Sequence, residues 1–335
     1  RTASVTPDAA SKTYGDADPT FTGTLAGFLT ADNVTATYAR TAGESVAGNP
    51  YTISAALSPI GVLGNYSITY NTAAFTINQR TASVTPDAAS KTYGDADPTF
   101  TGTLTGFLTG DNVTASYSRT AGETVAGSPY TISATLSPAG VLGNYAITYN
   151  TAAFTINQRT ASVTPDSFSK TYGDADPTFT GTLSGFLTGD GVTASYSRAP
   201  GETVAGSPYA ISATLSPMGV LGNYSITYNP AGLTITKRNA SVTPDAASKN
   251  YGSADPSFTG TLTGFLTADG VTATYSRTAG ETVAGSPYTI SATLSPTGVL
   301  GNYEITYNTA SFTINQKALT GNITANNKVY DGTNA

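Results

Sequence analysis

The residues of this chain best suited to chemistry are aspartates spaced two apart. Asp16 and Asp18 stand in "YGDADP", and the pair recurs as Asp95 and Asp97 and again as Asp174 and Asp176. Carboxylates at that spacing are common in calcium loops, and a carboxylate pair can also divide acid and base work. Calcium takes roughly six to eight oxygens, however, and no DxDxDG loop follows. A fourth occurrence reads "YGSADP", with Ser253 where Asp16 stands, so a site that needs both carboxylates is lost there. The competing reading is conformational. Gly15 admits unusual dihedrals, aspartate caps backbone amides, and Pro19 fixes the exit of a turn. The turn is the better reading; the six aspartates are kept only as candidate calcium ligands, and no cofactor is expected.

Other chemistry is closed off by composition. The chain has no His and no Cys. Ser–His and Cys–His nucleophiles, zinc held by imidazole or thiolate, and disulfides are therefore impossible. No glycine-rich phosphate loop joins a strand to a helix. Catalysis is not expected. Asn33 and Asn65 lie in N-x-[ST] sequons but read as polar turn residues. Arg40 and Glu44 flank a turn and read as a surface pair worth roughly 0–1 kcal/mol. Charged residues make up 11% of the chain and the net charge is −6, against roughly 25% charged in ordinary domains. With no basic stripe, nucleic acid and anionic membranes are poor partners. No apolar run is long enough to span a membrane. No signal peptide is visible, so the chain reads as an excerpt of a longer protein with its export signal elsewhere.

What must position these residues is a repeat. "SKTYGDADPTFTGTL" at 11–25 returns unchanged at 90–104 and 169–183, and as "SKNYGSADPSFTGTL" at 248–262. The period is 79 residues, giving copies at 1–79, 80–158, 159–237 and 238–316, with a fifth beginning at 317–335. A unit of this size buries only about 60% of its unfolded surface, so its core is marginal and neighbours must contribute.

Within a copy the dominant period is two. "NYSITY" puts Tyr66, Ile68 and Tyr70 on one face, "PYTISAAL" does so for Tyr51, Ile53, Ala55 and Leu57, and "AFTIN" for Phe75 and Ile77. That is the pattern of half-buried strands, and turn clusters separate the runs. Five to seven short strands per copy are expected, with "ITYNTAAFTI" forming a hairpin at Asn71–Thr72. One helical turn fits near Phe28–Asn33. The expected core is Val5, Tyr14, Phe21, Leu25, Phe28, Val34, Tyr38, Val46, Tyr51, Ile53, Leu57, Leu63, Tyr66, Ile68, Phe75 and Ile77. The fold class is all-β: a tandem array of four small sandwich-like domains forming an extended rod. β-Grasp-like units with one short helix are the alternative.

The junction "FTINQRTASVTPD" has no Gly, and no Pro before Pro86, so it reads as extended throughout. Its apolar parity changes, from odd at Phe75 and Ile77 to even at Ala82 and Val84. A flat strand cannot feed two cores that way, so a twist or bulge is expected near Asn78–Arg80.

"SKTYGDADPTFTGTLTGFLTGDNV", "VAGSPYTISATL" and "NYAITYNTAAFTI" together resemble the MBG-type repeat of large bacterial surface proteins. "KALTGNITANNKVYDGTNA" resembles the start of a YDG-type repeat. The resemblance covers essentially the whole chain; Asn250, Ser253 and Leu233 depart from it. It implies an adhesin-like extracellular protein of the bacterial cell surface whose arrays act as stalks or fibres. It offers no catalytic residues.

Copies one and two differ at nine of 79 positions. Arrays that read ligands usually vary their contact loops, so near-identity favours length and stiffness. Three functions follow: a stiff stalk holding an adhesive region off the cell, a multivalent binder of glycans or host proteins, or a self-assembling fibre, sheath or coat. The partners expected are the neighbouring repeats, and beyond them surface glycans or like chains.

Overall fold

In the computed structural model, residues 1–324 and 332 are described. The chain divides into two compact units, Arg1–Thr160 with Met218–Ser225, and Ala161–Pro217 with Ile226–Ala335. The first copy illustrates how each repeat is built. Its strands are β1 (Thr2–Pro7), β2 (Ala10–Thr13), β3 (Gly23–Ala26), β4 (Thr35–Arg40), β5 (Tyr51–Ser58), β6 (Ser67–Tyr70) and β7 (Ala73–Asn78). Alternation sets their faces. β1 buries Ala3, Val5 and Pro7, β5 buries Tyr51, Ile53 and Leu57, and β7 buries Phe75 and Ile77, with Thr and Ser turned outward.

Two sheets result. The three-stranded sheet runs β3-β1-β6, with β1 antiparallel to β3 (Val5 opposite Leu25) and parallel to β6 (Val5 opposite Tyr70). The four-stranded sheet runs β2-β7-β5-β4, with β2 parallel to β7 (Ala10 opposite Phe75) and β5 antiparallel to both neighbours. The chain starts in one sheet and crosses at Asp8, whose N–H donates to Thr22 O and whose carboxylate accepts from Thr22 Oγ1 at 2.7 Å. Tyr51, Ile53, Phe75 and Ile77 form the core cluster, and Phe21 stands edge-on to Phe75 at 5.4 Å. All four copies share the sandwich, and the β-grasp alternative falls away.

Three expectations need correction. "ITYNTAAFTI" is no hairpin: β6 and β7 lie in different sheets. Asn71 turns that corner by donating its N–H to Val5 O and its Nδ2 to Thr6 Oγ1, which ties the crossing to β1. The expected core is too large. Val5, Tyr51, Ile53, Leu57, Phe75 and Ile77 are buried, while the other ten are half-buried, because sheets of three and four short strands enclose little interior. Helical turns are more numerous than expected. The one turn expected near Phe28–Asn33 is the 3-10 turn Thr30–Asp32, closed by Asn33 in the left-handed region (φ 48°), and two further turns, Val46–Gly48 and α1 (Ile60–Leu63), have no signal in the strand pattern.

The junction follows the parity change. β7 ends at Asn78, and the first strand of the next copy, β8 (Arg80–Pro86), begins one residue after Gln79. Phe75 and Ile77 fill the first core; Ala82 and Val84 are buried in the second. A single residue therefore passes the chain between two domains.

Phe154, the second copy's equivalent of Phe75, is fully buried, whereas Tyr149 is more than half exposed. Phe154→Ala should destabilise by about 3–5 kcal/mol and Tyr149→Ala by no more than about 0.5 kcal/mol, read from urea unfolding.

Candidate functional site

The recurring "YGD" lies where one repeat meets the next. In the first unit Tyr14 reaches across the junction and donates its hydroxyl to the Asp111 carboxylate at 3.1 and 3.2 Å. Tyr145 of the second repeat donates to the same carboxylate and accepts from Leu108 N–H at 3.0 Å. One carboxylate thus sits between two phenols, one from each repeat, and the two rings meet edge-on at 5.5 Å. Asp111 is placed there by the second repeat's 3-10 turn, Thr109–Asp111.

Gly15 is required by both its backbone and its neighbour. Its φ is +85°, and a Cβ on it would lie 2.4 Å from Leu108 Cδ1. Asp16 pairs with Arg80 of the next repeat at 3.1 Å, and that guanidinium also donates to Tyr14 O. On the other side of the interface Asn144 Oδ1 accepts from Val46 N–H at 2.9 Å, and Gln79 Nε2 donates to Gly143 O at 3.0 Å. The second unit repeats the set with Tyr172 and Asp269, Gly173 and Leu266, Asp174 and Arg238, and Val204 and Asn302. Residues Met218–Ser225 join the first unit by the same chemistry: Asn223 Oδ1 accepts from Val125 N–H, and Tyr224 stands edge-on to Tyr93 at 5.5 Å. Burial follows these contacts. Tyr145 is 3% exposed and Asn144 is buried, while Tyr66 and Asn65 of the first copy are more open.

Asp18 does different work inside its own repeat. It accepts from Arg40 Nε at 2.6 Å and Arg40 Nη2 at 3.0 Å, and pairs with Lys12 at 2.8 Å. Glu44 completes the quartet by pairing with both cations. Arg40 was expected at the surface; instead its side chain is 7% exposed, lies over the Phe75 ring at 4.8 Å, and donates to Gly43 O at 2.6 Å. A shielded, stacked guanidinium with bidentate pairing is stronger than an exposed pair. It pins the "DADP" loop and the "TAGE" turn onto the core. The same quartet stands in every copy, through Asp97, Asp176 and Asp255.

The candidate calcium ligands are therefore separated in task. Asp16, Asp95 and Asp174 face the arginine of the following repeat, and Asp18, Asp97 and Asp176 face the lysine and arginine of their own. Among the described residues no three His, Cys, Asp or Glu side chains converge as a metal site, and no helix is long and apolar enough to cross a membrane. Missed from sequence were Asn144, Leu108 and Asp111. Their signal was recurrence of "GFLT", the acid after it, and "GNY" at each period, which strand periodicity does not explain.

The charges make the assembly sensitive at both pH extremes. Hydrogen bonds from Arg40 pull Asp18 down to about 2, against burial and with help from Lys12, and Arg119 and Arg277 do the same for Asp97 and Asp255. A carboxylate held below its unfolded value adds stability above about pH 4, lost as pH falls toward 2. Burial, with the bond to Asp111 or Asp269, pushes Tyr145 and Tyr303 up to about 12. A phenol held above its unfolded value adds stability below about pH 10, lost as pH rises toward 12. Thermal melting against pH should stay flat between these limits and fall outside both. A tyrosine absorbance titration should show Tyr145 and Tyr303 ionising late. Asn144→Ala should cost about 1–3 kcal/mol, since it strips a partner from the Val46 amide, and calorimetry of the chain should register that loss.

Comparison with known proteins places the chain. Two solved structures give weak superpositions: mouse cadherin-23 EC22-24 at TM-score 0.25 and 9% identity, covering 71% of this chain and 100% of that one, and the human desmocollin-1 ectodomain at 0.22 and 8%, covering 92% and 80%. Those values are too low to establish a shared fold. No curated protein matches. The MBG domain (YGX type) matches four times, over residues 3–76, 82–155, 161–234 and 240–313. The tyrosine and glycine of that type correspond to Tyr14 and Gly15 in the first unit and to Tyr172 and Gly173 in the second, which meet the following repeat, and this chain belongs to the MBG domain (YGX type) family.

Proposed function

We propose that the repeats form a non-catalytic spacer: a stiff stalk in a secreted bacterial surface protein, holding an adhesive region away from the cell. The observation that carries this reading is the joint. A phenol, a glycine and a carboxylate of one repeat engage the next, with one residue of connecting chain between strands. A flexible tether needs none of this, and beads on a string would leave Tyr145 and Asn144 in solvent. Stability of such an array approximates a sum of repeat and interface terms, so each added copy brings similar reach and similar strength. The absence of Cys and the Thr- and Ser-rich outer faces are compatible with an extracellular setting.

A second reading has one observation in its favour. Tyr70, Tyr149, Tyr228 and Tyr307 are each more than half exposed at equivalent places, one per repeat. Such rings can stack on sugars, and four weak sites on one chain would gain avidity.

Small-angle scattering at low concentration tests the stalk. At about 30–40 Å per repeat, the maximum dimension should be near four times one repeat and should not change with calcium or a chelator. A compact or broadly flexible particle would overturn the stalk. Binding to a glycan array that is lost on replacing the four exposed tyrosines would favour the second reading.

A further inference from the structure

We infer that Phe168 and Leu233 act as a pairing key, which keeps the third repeat from exchanging strands with its near-identical neighbours when the chain folds. The inference is independent of the spacer role. In every copy the four-stranded sheet is closed by a parallel pair, β2 on β7 in the first. Ala10 lies opposite Phe75, Ala89 opposite Phe154 and Ala247 opposite Phe312, and each of these phenylalanines is fully buried. In the third repeat both partners change. Phe168 stands where the others have alanine, opposite Leu233, which is as fully buried as the phenylalanines it replaces. The ring has moved to the other strand. Phe21, Phe100 and Phe258 stand edge-on to the phenylalanine of the later strand at 5.4 Å, whereas Phe179, at the equivalent place, stands edge-on to Phe168 at 5.6 Å. The change brings no stacking advantage within the repeat. Arg40, Arg119 and Arg277 lie over Phe75, Phe154 and Phe312, and Leu233 has no such face to offer Arg198.

The consequence lies between repeats. Copies this similar offer each strand interchangeable partners, and misassembly between domains is a characteristic failure of repeat arrays. Loop closure favours the partner nearer in the chain. Phe168 is nearer to Phe154 than to Leu233, and Ala247 is nearer to Leu233 than to Phe312. Pairing the strand Phe168–Thr171 with Ala152–Asn157 of the second repeat would set Phe168 opposite Phe154, two rings where each core holds one. Pairing Ala247–Asn250 of the fourth repeat with Ala231–Thr236 would set Ala247 opposite Leu233 and leave a void where the ring belongs. Overfilling and underfilling both destabilise. The third repeat thus rejects the second by excess volume and the fourth by a void, while its own two strands fit each other.

A thiol trap tests this, since the chain has no cysteine of its own. Thr155 and Ser169 are exposed, belong to different sheets, and lie opposite Ser90 and Thr234 respectively. Mispairing of the second and third repeats would bring them opposite each other. The full chain carrying Thr155→Cys and Ser169→Cys is refolded from urea under oxidising conditions, and the disulfide is counted by peptide mass. It should be rare. Phe168→Ala with Leu233→Phe gives the third repeat the pair found in the other three, and the disulfide should rise about tenfold or more. Copying the key into the second repeat, by Ala89→Phe with Phe154→Leu in a chain whose third repeat is unaltered, should raise it likewise. Combining all four substitutions makes the neighbours differ again and should return it to its starting level. Equal yields in all four chains would overturn the inference. So would a yield that stays high in the combined chain, because it would follow the loss of native packing and not the match between neighbours.

Discussion

The joint in the first unit is built around the seat of Leu108 on Gly15. A side chain at position 15 would collide with that leucine, and the backbone there adopts a φ that only glycine holds without strain. With the leucine seated, Asp111 falls within reach of both phenols and Asn144 within reach of the Val46 amide. Each contact is modest alone, about 0.5–1.5 kcal/mol for a neutral hydrogen bond or an edge-on aromatic pair. Together they order the same few side chains, so the conformational cost of fixing any one of them is shared.

The charged quartet serves the joint from behind. Tyr14, Gly15 and Asp16 project from a loop that has little regular structure between β2 and β3. Arg40 and Lys12 clamp the Asp18 end of that loop to the sheet, while the hydrogen bond from Tyr14 N–H to Asn78 O holds its start beside the exit to the next repeat. Burial of two cations is costly in isolation. Here two carboxylates, two backbone carbonyls and an aromatic face receive them, and no buried side-chain polar atom among the described residues lacks a partner. Asp16 and Asp18, two residues apart, thus serve different partners: one binds the next repeat and the other fixes the loop that presents it.

Much of this was legible in the sequence. The period, the strands and the parity change at Gln79 are local patterns, and each is found where the alternation put it. The β6–β7 corner was misread because turn residues do not say whether the chain returns to the same sheet; that depends on the contact of Asn71 with β1. Tyr14 packs against its own repeat's core, as the sequence suggests, but nothing local says that its hydroxyl also meets a second repeat. The sequence alone places Arg40 at the surface because nothing local announces that Phe75, distant in the chain, provides a face for it. The joint was the least legible part, since its residues are about 97 positions apart for Tyr14 and Asp111 and become neighbours only when two copies are set side by side.

The most direct test is a distance measurement across one joint. The chain has no cysteine, so spin labels at Ser54→Cys and Ser133→Cys, equivalent exposed positions on β5 and on its counterpart Tyr130–Ser137 in the second repeat, introduce the only thiols. A pulsed electron–electron resonance experiment should give a narrow distance distribution, comparable in width to a label pair within one repeat, that broadens when Gly15→Val is added. A broad distribution in the otherwise unaltered chain would mean that the contacts of Tyr14, Gly15 and Asp16 do not hold successive repeats in a fixed relation.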